Sequence, residues 1–206
     1  MLETAMAIAD ADGLDAVSIR GLARALGVEP MSLYNYTPGR DELLDALVER
    51  VAELIELPPT EGDDWRAPIR ASAISAYRVL RAHPWACQPL MSTPKPSRAR
   101  LRLIDALLGR LEEAGLPGEL MDLAYHALDS HILGFTLWEA GYSRGTVLSG
   151  EDLAAYLREI RIDDYPHLAT HARWHLEPHS EQGRDEFEFG LDLILDGVER
   201  LRPRAT

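Results

Sequence analysis

The sequence predicts an all-α protein, and three observations carry that expectation. Apolar residues recur at intervals of three and four along almost every patterned stretch, the period of a helix face rather than of a strand. Turn-forming residues punctuate those stretches at Gly27, at Pro38–Gly39, at Leu57–Gly62 and at Gly115–Pro117. One stretch, "ILGFTLWEAGY", is apolar nearly all round, which suits a helix enclosed in a bundle or held between subunits.

The elements follow in order. Leu2 to Asp10 reads as a short first helix, ended at Ala11–Gly13. Ser18 is a good N-cap for a second helix, with Ile19, Leu22, Ala23 and Leu26 on one stripe and Gly27 as its left-handed stop. Pro30 sits in the first turn of a third, where a missing N–H costs nothing, and Thr37–Gly39 ends it after Tyr36. A fourth helix, about Arg40 to Glu56, buries Leu43, Leu44, Leu47, Val48, Val51, Leu54 and Ile55. The "LPPTEG" stretch then divides the chain into residues 1–57 and 58–206. In the larger part, Asp63 or Asp64 caps a helix that runs to His83 and stops at Pro84. Pro94–Ser97 precedes a helix carrying Leu101, Ile104, Leu107, Leu108 and Leu111. A long helix covers Gly118–Gly141, and weaker ones cover Glu151–Ile160 and Tyr165–Trp174. The last, Arg184–Leu201, sets Phe187, Leu191, Ile194, Leu195 and Val198 on one stripe. No internal repeat or low-complexity segment interrupts this pattern.

Bulk composition narrows the function. The chain has 206 residues, of which 46% are hydrophobic and 27% charged, enough for a packed core and against disorder. No apolar run approaches the roughly 18 residues that span a bilayer, so no membrane partner is expected. The start, "MLETAMAIADADGL", shows neither a basic n-region nor a small-residue cleavage site. Cys87 is the single cysteine, so a disulfide framework is excluded within one chain and a reducing cytoplasm is the expected home. The net charge of −13, taken alone, argues against nucleic acid, because phosphate binding depends on lysine and arginine. Its distribution argues otherwise: from Ser18 to Arg40, Arg20, Arg24 and Arg40 stand against Glu29, a basic island of net +2.

Two short helices joined by a glycine-containing turn, inside a three-helix cluster, describe a helix-turn-helix. There the first helix braces a second that lies in the DNA major groove. Val28 and Leu33 are expected to face the brace, leaving Met31, Ser32, Asn35 and Tyr36 outward and Tyr34 at the edge. Their chemistry suits that surface. Asn bonds a base edge in two places, Ser and Tyr hydroxyls reach phosphates, and Met offers apolar contact to a thymine methyl. The competing reading makes the two tyrosines mere fillers of a small core.

At this point a family is recognisable. "SIRGLARALGVEPMSLYNYTPGRDELLDAL" resembles the DNA-binding domain of tetracycline-repressor family regulators, through its LGV turn, the following "LY" and the "DELLDAL" opening of the fourth helix. The C-terminal stretches "AYHALDSHILGF" and "DEFEFGLDLILDGVERL" are similar to that family's dimer-forming helices. The resemblance implies a homodimeric regulator that binds a pseudo-palindromic double-stranded DNA operator and is released by a small-molecule inducer. It places Ser18 and Arg20 on the bracing helix beside the DNA, Met31 and Ser32 at the start of the recognition helix, and Asn35 and Tyr36 at its end. Tyr34 and Arg40 match its phosphate contacts. Two departures weaken those contacts: the chain begins at Met1, where the family has a basic arm, and Thr37–Gly39 replaces a turn that is often basic.

For the inducer, Tyr77, Trp85, Leu107, His126, Ser130, Trp138, Tyr142, His171 and Trp174 are the candidate lining, aromatic and polar side chains on apolar helices. The expected ligand is largely apolar and held by one or two polar groups. For the dimer, Leu128, Ile132, Phe187, Gly190, Leu191, Ile194 and Gly197 are the candidate contacts, the two glycines allowing close backbone approach. His167, His171, His175 and His179 have a four-residue metal-binding spacing, but Pro178 interrupts it. A pocket lid or a solvated face competes, and no metal or cofactor is assigned. Cys87 is expected to be a buried structural thiol rather than a redox sensor. Two rival functions stay open: an α-helical enzyme, for which no Gly-rich phosphate loop, "GxSxG" or metal-protease pair is found, and a scaffold acting through protein partners.

Overall fold

The computed structural model describes residues 1–59, 64–92, 96–144, 150–176 and 185–203, and among these every regular element is helical. In order they are α1 (Leu2–Asp12), α2 (Ile19–Leu26), α3 (Pro30–Leu33), α4 (Arg40–Glu53), α5 (Arg66–Ala82), α6 (Cys87–Ser92), α7 (Arg98–Glu113), α8 (Gly118–Arg144), α9 (Gly150–Glu159), α10 (Pro166–Leu176) and α11 (Glu186–Leu201). Short 3-10 turns precede α2, α6 and α10.

Local chemistry sets the boundaries. Ser18 Oγ accepts the Gly21 N–H at 3.1 Å, and Gly27, at φ 68°, turns the chain out of α2 in the left-handed conformation that glycine adopts freely. Asp64 accepts the N–H groups of Arg66 and Ala67, each at 3.1 Å; Ser97 caps α7 and Asp185 caps α11 in the same way. The third helix is shorter than its sequence suggests. After Leu33 the Tyr36 and Thr37 N–H groups both bond the Leu33 carbonyl, at 2.9 and 3.0 Å, and Thr37 is buried. Pro38 disfavours helical backbone at Thr37, so no further turn is added beyond it. The fourth helix ends at Glu53, ahead of the Leu57–Pro58–Pro59 run, and the long helix α8 passes through Gly141 to Arg144.

One hydrophobic core runs through the molecule, from Ala5 in α1 to Val198 in α11. At one end α1, α2 and α4 enclose Val17, Leu22, Leu43 and Leu47, with Leu33 of α3 added on top. At the other, α8 is the central post against which α5, α7 and α11 pack. The fourth helix belongs to both ends, packing on α1 and on α7. Polar links cross the same junction. Asp10 Oδ1 of α1 accepts the Trp85 indole N–H at 2.7 Å and lies 2.7 Å from His83 Nδ1, while Glu49 of α4 accepts the Ala99 N–H at 2.9 Å. On the outer side, α5 and α11 are clasped by Arg66 with Asp192 and Asp196, and by Arg70 with Glu188 and Asp192, at 2.5–3.3 Å.

Candidate nucleic-acid interface and inner cavity

The outward surface of α3 and its closing turn is built by subtraction. Leu33 points into the core and fixes the rotation of α3, so its neighbours face solvent: Met31 is 75% exposed and Tyr36 77%, with Ser32, Tyr34 and Asn35 also exposed. Val28 does not join the brace; it is 43% exposed, because the Gly27 turn commits its N–H to the Ala23 carbonyl at 3.0 Å and leaves the side chain outside. Three further positions are engaged locally. The Ser18 hydroxyl caps α2, the Ser32 hydroxyl donates to the Glu29 carbonyl at 2.6 Å, and Arg40 turns inward. Its guanidinium donates to the Val17 and Leu14 carbonyls at 2.9 and 3.1 Å and lies 3.7 Å from Asp15. The Leu14 carbonyl also accepts the Val17 N–H at 3.2 Å, so Arg40 ties both ends of that 3-10 turn to α4. Arg20 and Arg24 are exposed on α2, so the basic character of the surface rests on them.

Between α5, α7 and α8 lies a cavity of about 60 Å³. Its wall is aliphatic, with Ile69, Leu80, Leu103, Ile104, Leu107, Leu128 and Ile132 among its residues. Ile55 and Leu57, from the chain just after α4, also reach it. Its polar groups are Ser72, Tyr125, Arg110 and the Arg100–Asp129 pair, joined at 2.6 and 2.8 Å. Burial raises the Tyr125 phenol above its ordinary range and lowers Arg110 below its own.

Residues 57–202 match the model of the tetracyclin repressor-like C-terminal domain, and residues 1–47 that of the bacterial regulatory proteins of the tetR family. The chain belongs to the tetracycline repressor family. It is thus a helix-turn-helix transcriptional regulator, in a family of non-enzymes. It is 32% identical to the transcriptional repressor DrrR1 of Streptomyces coeruleorubidus, over 98% of this chain and 76% of that protein. A crystal structure of a possible TetR family regulator from Streptomyces coelicolor superposes with a TM-score of 0.78 at 28% identity, covering 98% of each chain. ActR from the same organism, solved in complex with actinorhodin, superposes at 0.73 with 26% identity, covering 98% of this chain and 96% of ActR.

Within this tetracycline-repressor-family fold, several of the candidate residues make contacts inside their own chain. Of the candidate lining whose side chains are described, Leu107 lines this cavity. Tyr77 stacks on Phe187, centroids 4.0 Å apart, and donates to Glu139 at 2.9 Å; with burial, this pushes its phenol up to about 12. Trp85 is buried against Asp10, while His126, Ser130, Trp138 and His171 face outward. The side chains of Tyr142, Trp174, His175 and His179 lie outside the described residues, and His167 is exposed. Several of the candidate dimer contacts also pack within the chain. Leu128 and Ile132 line the cavity, and Phe187 and Leu191 are buried in the chain's own core. Ile194 is partly buried against it. Gly190 admits His131 of α8, whose Cε1 would lie 2.5 Å from an added Cβ, so its close approach is within the chain. Gly197 has open space. Facing solvent instead are Leu123, Ala127, Ser130, Gly134, Leu137 and Gly141 on α8, beside Phe189 and Leu193 on α11. Cys87 is buried, and burial pushes its thiol up to about 11, away from thiolate reactivity.

Proposed function

We propose that the protein is a cytoplasmic repressor that binds a pseudo-palindromic operator as a homodimer and leaves it when a small, largely apolar molecule enters the cavity. The observation that carries this reading is the presence of Ile55 and Leu57 in the cavity wall. They directly follow α4, which supports the reading head, so an occupant touches the segment that positions that head. At about 60 Å³ the cavity is smaller than ordinary ligand sites of roughly 300–1,000 Å³. A ligand therefore widens it, and the displaced wall includes the junction. Such a ligand shifts DNA affinity by its preference for one spacing of two heads, with a coupling of about 1–3 kcal/mol. The exposed stripe of small and apolar residues on α8, with Phe189 and Leu193 on α11, supports pairing with a second copy as a four-helix bundle. DrrR1 is named a repressor and ActR was solved with actinorhodin, which agree with the same reading. Residues 1–57 serve as the reading head and 58–206 as the ligand and dimer part.

The test is a gel shift and footprint on the DNA flanking its own gene. Two protected half-sites, centred roughly 34–36 Å apart or slightly more, are expected. Asn35→Ala should relax one base preference by about 1–3 kcal/mol, and Tyr34→Ala should weaken all sequences alike. Protection of one unrepeated half-site by a monomer would end the proposal.

A further inference from the structure

The cavity carries a charge that an apolar pocket does not require. Arg110 is 9% exposed and sits on the same α7 stripe as Leu103 and Leu107. Among the described residues its hydrogen-bond acceptors are all neutral: Ser72 Oγ at 2.5 Å, the Pro68 carbonyl at 3.4 Å and the Pro58 carbonyl. The other cation in the wall, Arg100, is already matched by both oxygens of Asp129. The lining residues thus include two guanidinium groups and one carboxylate, an excess of positive charge on a mostly aliphatic wall. The exposed Glu113 carboxylate one turn on attracts Arg110 without hydrogen-bonding it, and burial still outweighs that attraction. A buried guanidinium whose hydrogen-bond acceptors are all neutral is costly, and its fork fits an oxyanion through two parallel hydrogen bonds.

Taking the cavity as the effector site, as read above, we propose that it selects an anionic ligand: an apolar body bearing one carboxylate or similar oxyanion, received by Arg110. The acid group competes for the fork with the Pro58 carbonyl, which belongs to the α4–α5 connection. Binding therefore loosens that connection as it completes the charge. A neutral molecule of the same shape leaves Arg110 as it was.

Two fluorescent probes test this on the full chain. 8-Anilinonaphthalene-1-sulfonate and N-phenyl-1-naphthylamine share one skeleton and differ by the sulfonate, so the skeleton's cost of widening the cavity cancels and the sulfonate's added bulk works against the anionic probe. The anionic probe should bind the unsubstituted protein about ten-fold tighter or more. Arg110→Gln should erase that ratio by weakening only the anionic probe, Arg110→Lys should keep part of it, and Leu107→Trp, which fills the cavity, should remove both probes. Equal affinity of the two probes, an unchanged ratio in Arg110→Gln, or anionic binding that survives Leu107→Trp each overturns the proposal. The comparison on the unsubstituted protein needs no variant to fold. If the neutral probe binds inside the cavity while the preference is missing, the effector site stands and only its charge selectivity falls. Binding of neither probe overturns both.

Discussion

Arg40 joins two parts of the reading head that are far apart in sequence. From the first turn of α4 it satisfies the carbonyls of Leu14 and Val17, so the loop ahead of α2 is held by the helix behind α3. Hydrogen bonds from a charged group contribute about 1.5–3 kcal/mol net, and the partial exposure of Arg40 puts this one toward the low end. Arg40→Ala should therefore cost about 1–2 kcal/mol, a drop of several degrees in calorimetry, with DNA affinity reduced for all sequences. A loss of affinity at an unchanged melting temperature would return Arg40 to a pure phosphate contact. Gly190 is the other decisive position. A methyl group there meets the His131 ring, which is stacked against Phe187 at 4.8 Å. Overpacking of that kind costs about 1–3 kcal/mol, against about 1 kcal/mol gained in helix propensity. Gly190→Ala should be destabilising in a denaturant titration, and adding His131→Ala should recover part of the loss.

At the scale of elements, the clasp between α5 and α11 is pH-dependent with a definite sign. Asp192 is held below the usual carboxylate range, chiefly by the hydrogen bond from Arg70, and Arg70 is raised by the same contact. A carboxylate with a depressed native pKa stabilises the fold fully above its unfolded value near 3.9. It loses that contribution as pH falls through the native value. Asp192→Asn should therefore lower the melting temperature at pH 7, and the gap to the parent should close as pH falls below about 4 and on through the native value. With both partners partly exposed the effect should be about 1 kcal/mol or less. A gap that stayed constant with pH would assign the loss to packing. The helices themselves were legible in the sequence, because a 3.6-residue period over a dozen positions is unambiguous in α4, α5, α7, α8 and α11. The face each helix buries was not. Leu128 and Leu137 are alike as letters, yet one lines a cavity and the other meets solvent, since a stripe reads as apolar whether its partner is its own chain or a second copy. The short α6 lacks the length for a period to show. Arg110 could have been found, with Arg100, as a cation on the Leu103–Leu107–Leu111 stripe, but long side chains that commonly reach out to water hide that signal.

For the whole molecule, the solvent-facing stripe on α8 and α11 is the surface proposed above to pair with a second copy. Leu193 is exposed, so Leu193→Glu should leave the single-chain fold and its circular dichroism intact. It should convert a dimer to a monomer in sedimentation and weaken operator binding steeply, since each half-site is then held alone. A variant that stays dimeric would move the interface elsewhere. Among the described residues no helix is long and apolar enough to cross a membrane.

The bond from Asp10 to His83 and Trp85 bears on how this protein could be rebuilt. Regulators with a separate head and body invite transplantation, a new head for a new operator or a new body for a new signal. Here the seam at residue 57 is a break in chain pattern but not in the packed interior. The first helix ends on a partner from the far side of that seam, and α4 gives one face to each half. A graft cut at residue 57 would strand the Asp10 carboxylate, bare the α7-facing side of α4 and leave Glu49 without the Ala99 N–H. A workable hybrid has to carry both sides of the seam: Asp10 and Glu49 together with His83, Trp85 and the opening turn of α7. Head swaps that respect that unit should keep a single cooperative melt, and swaps that divide it should show two transitions or none.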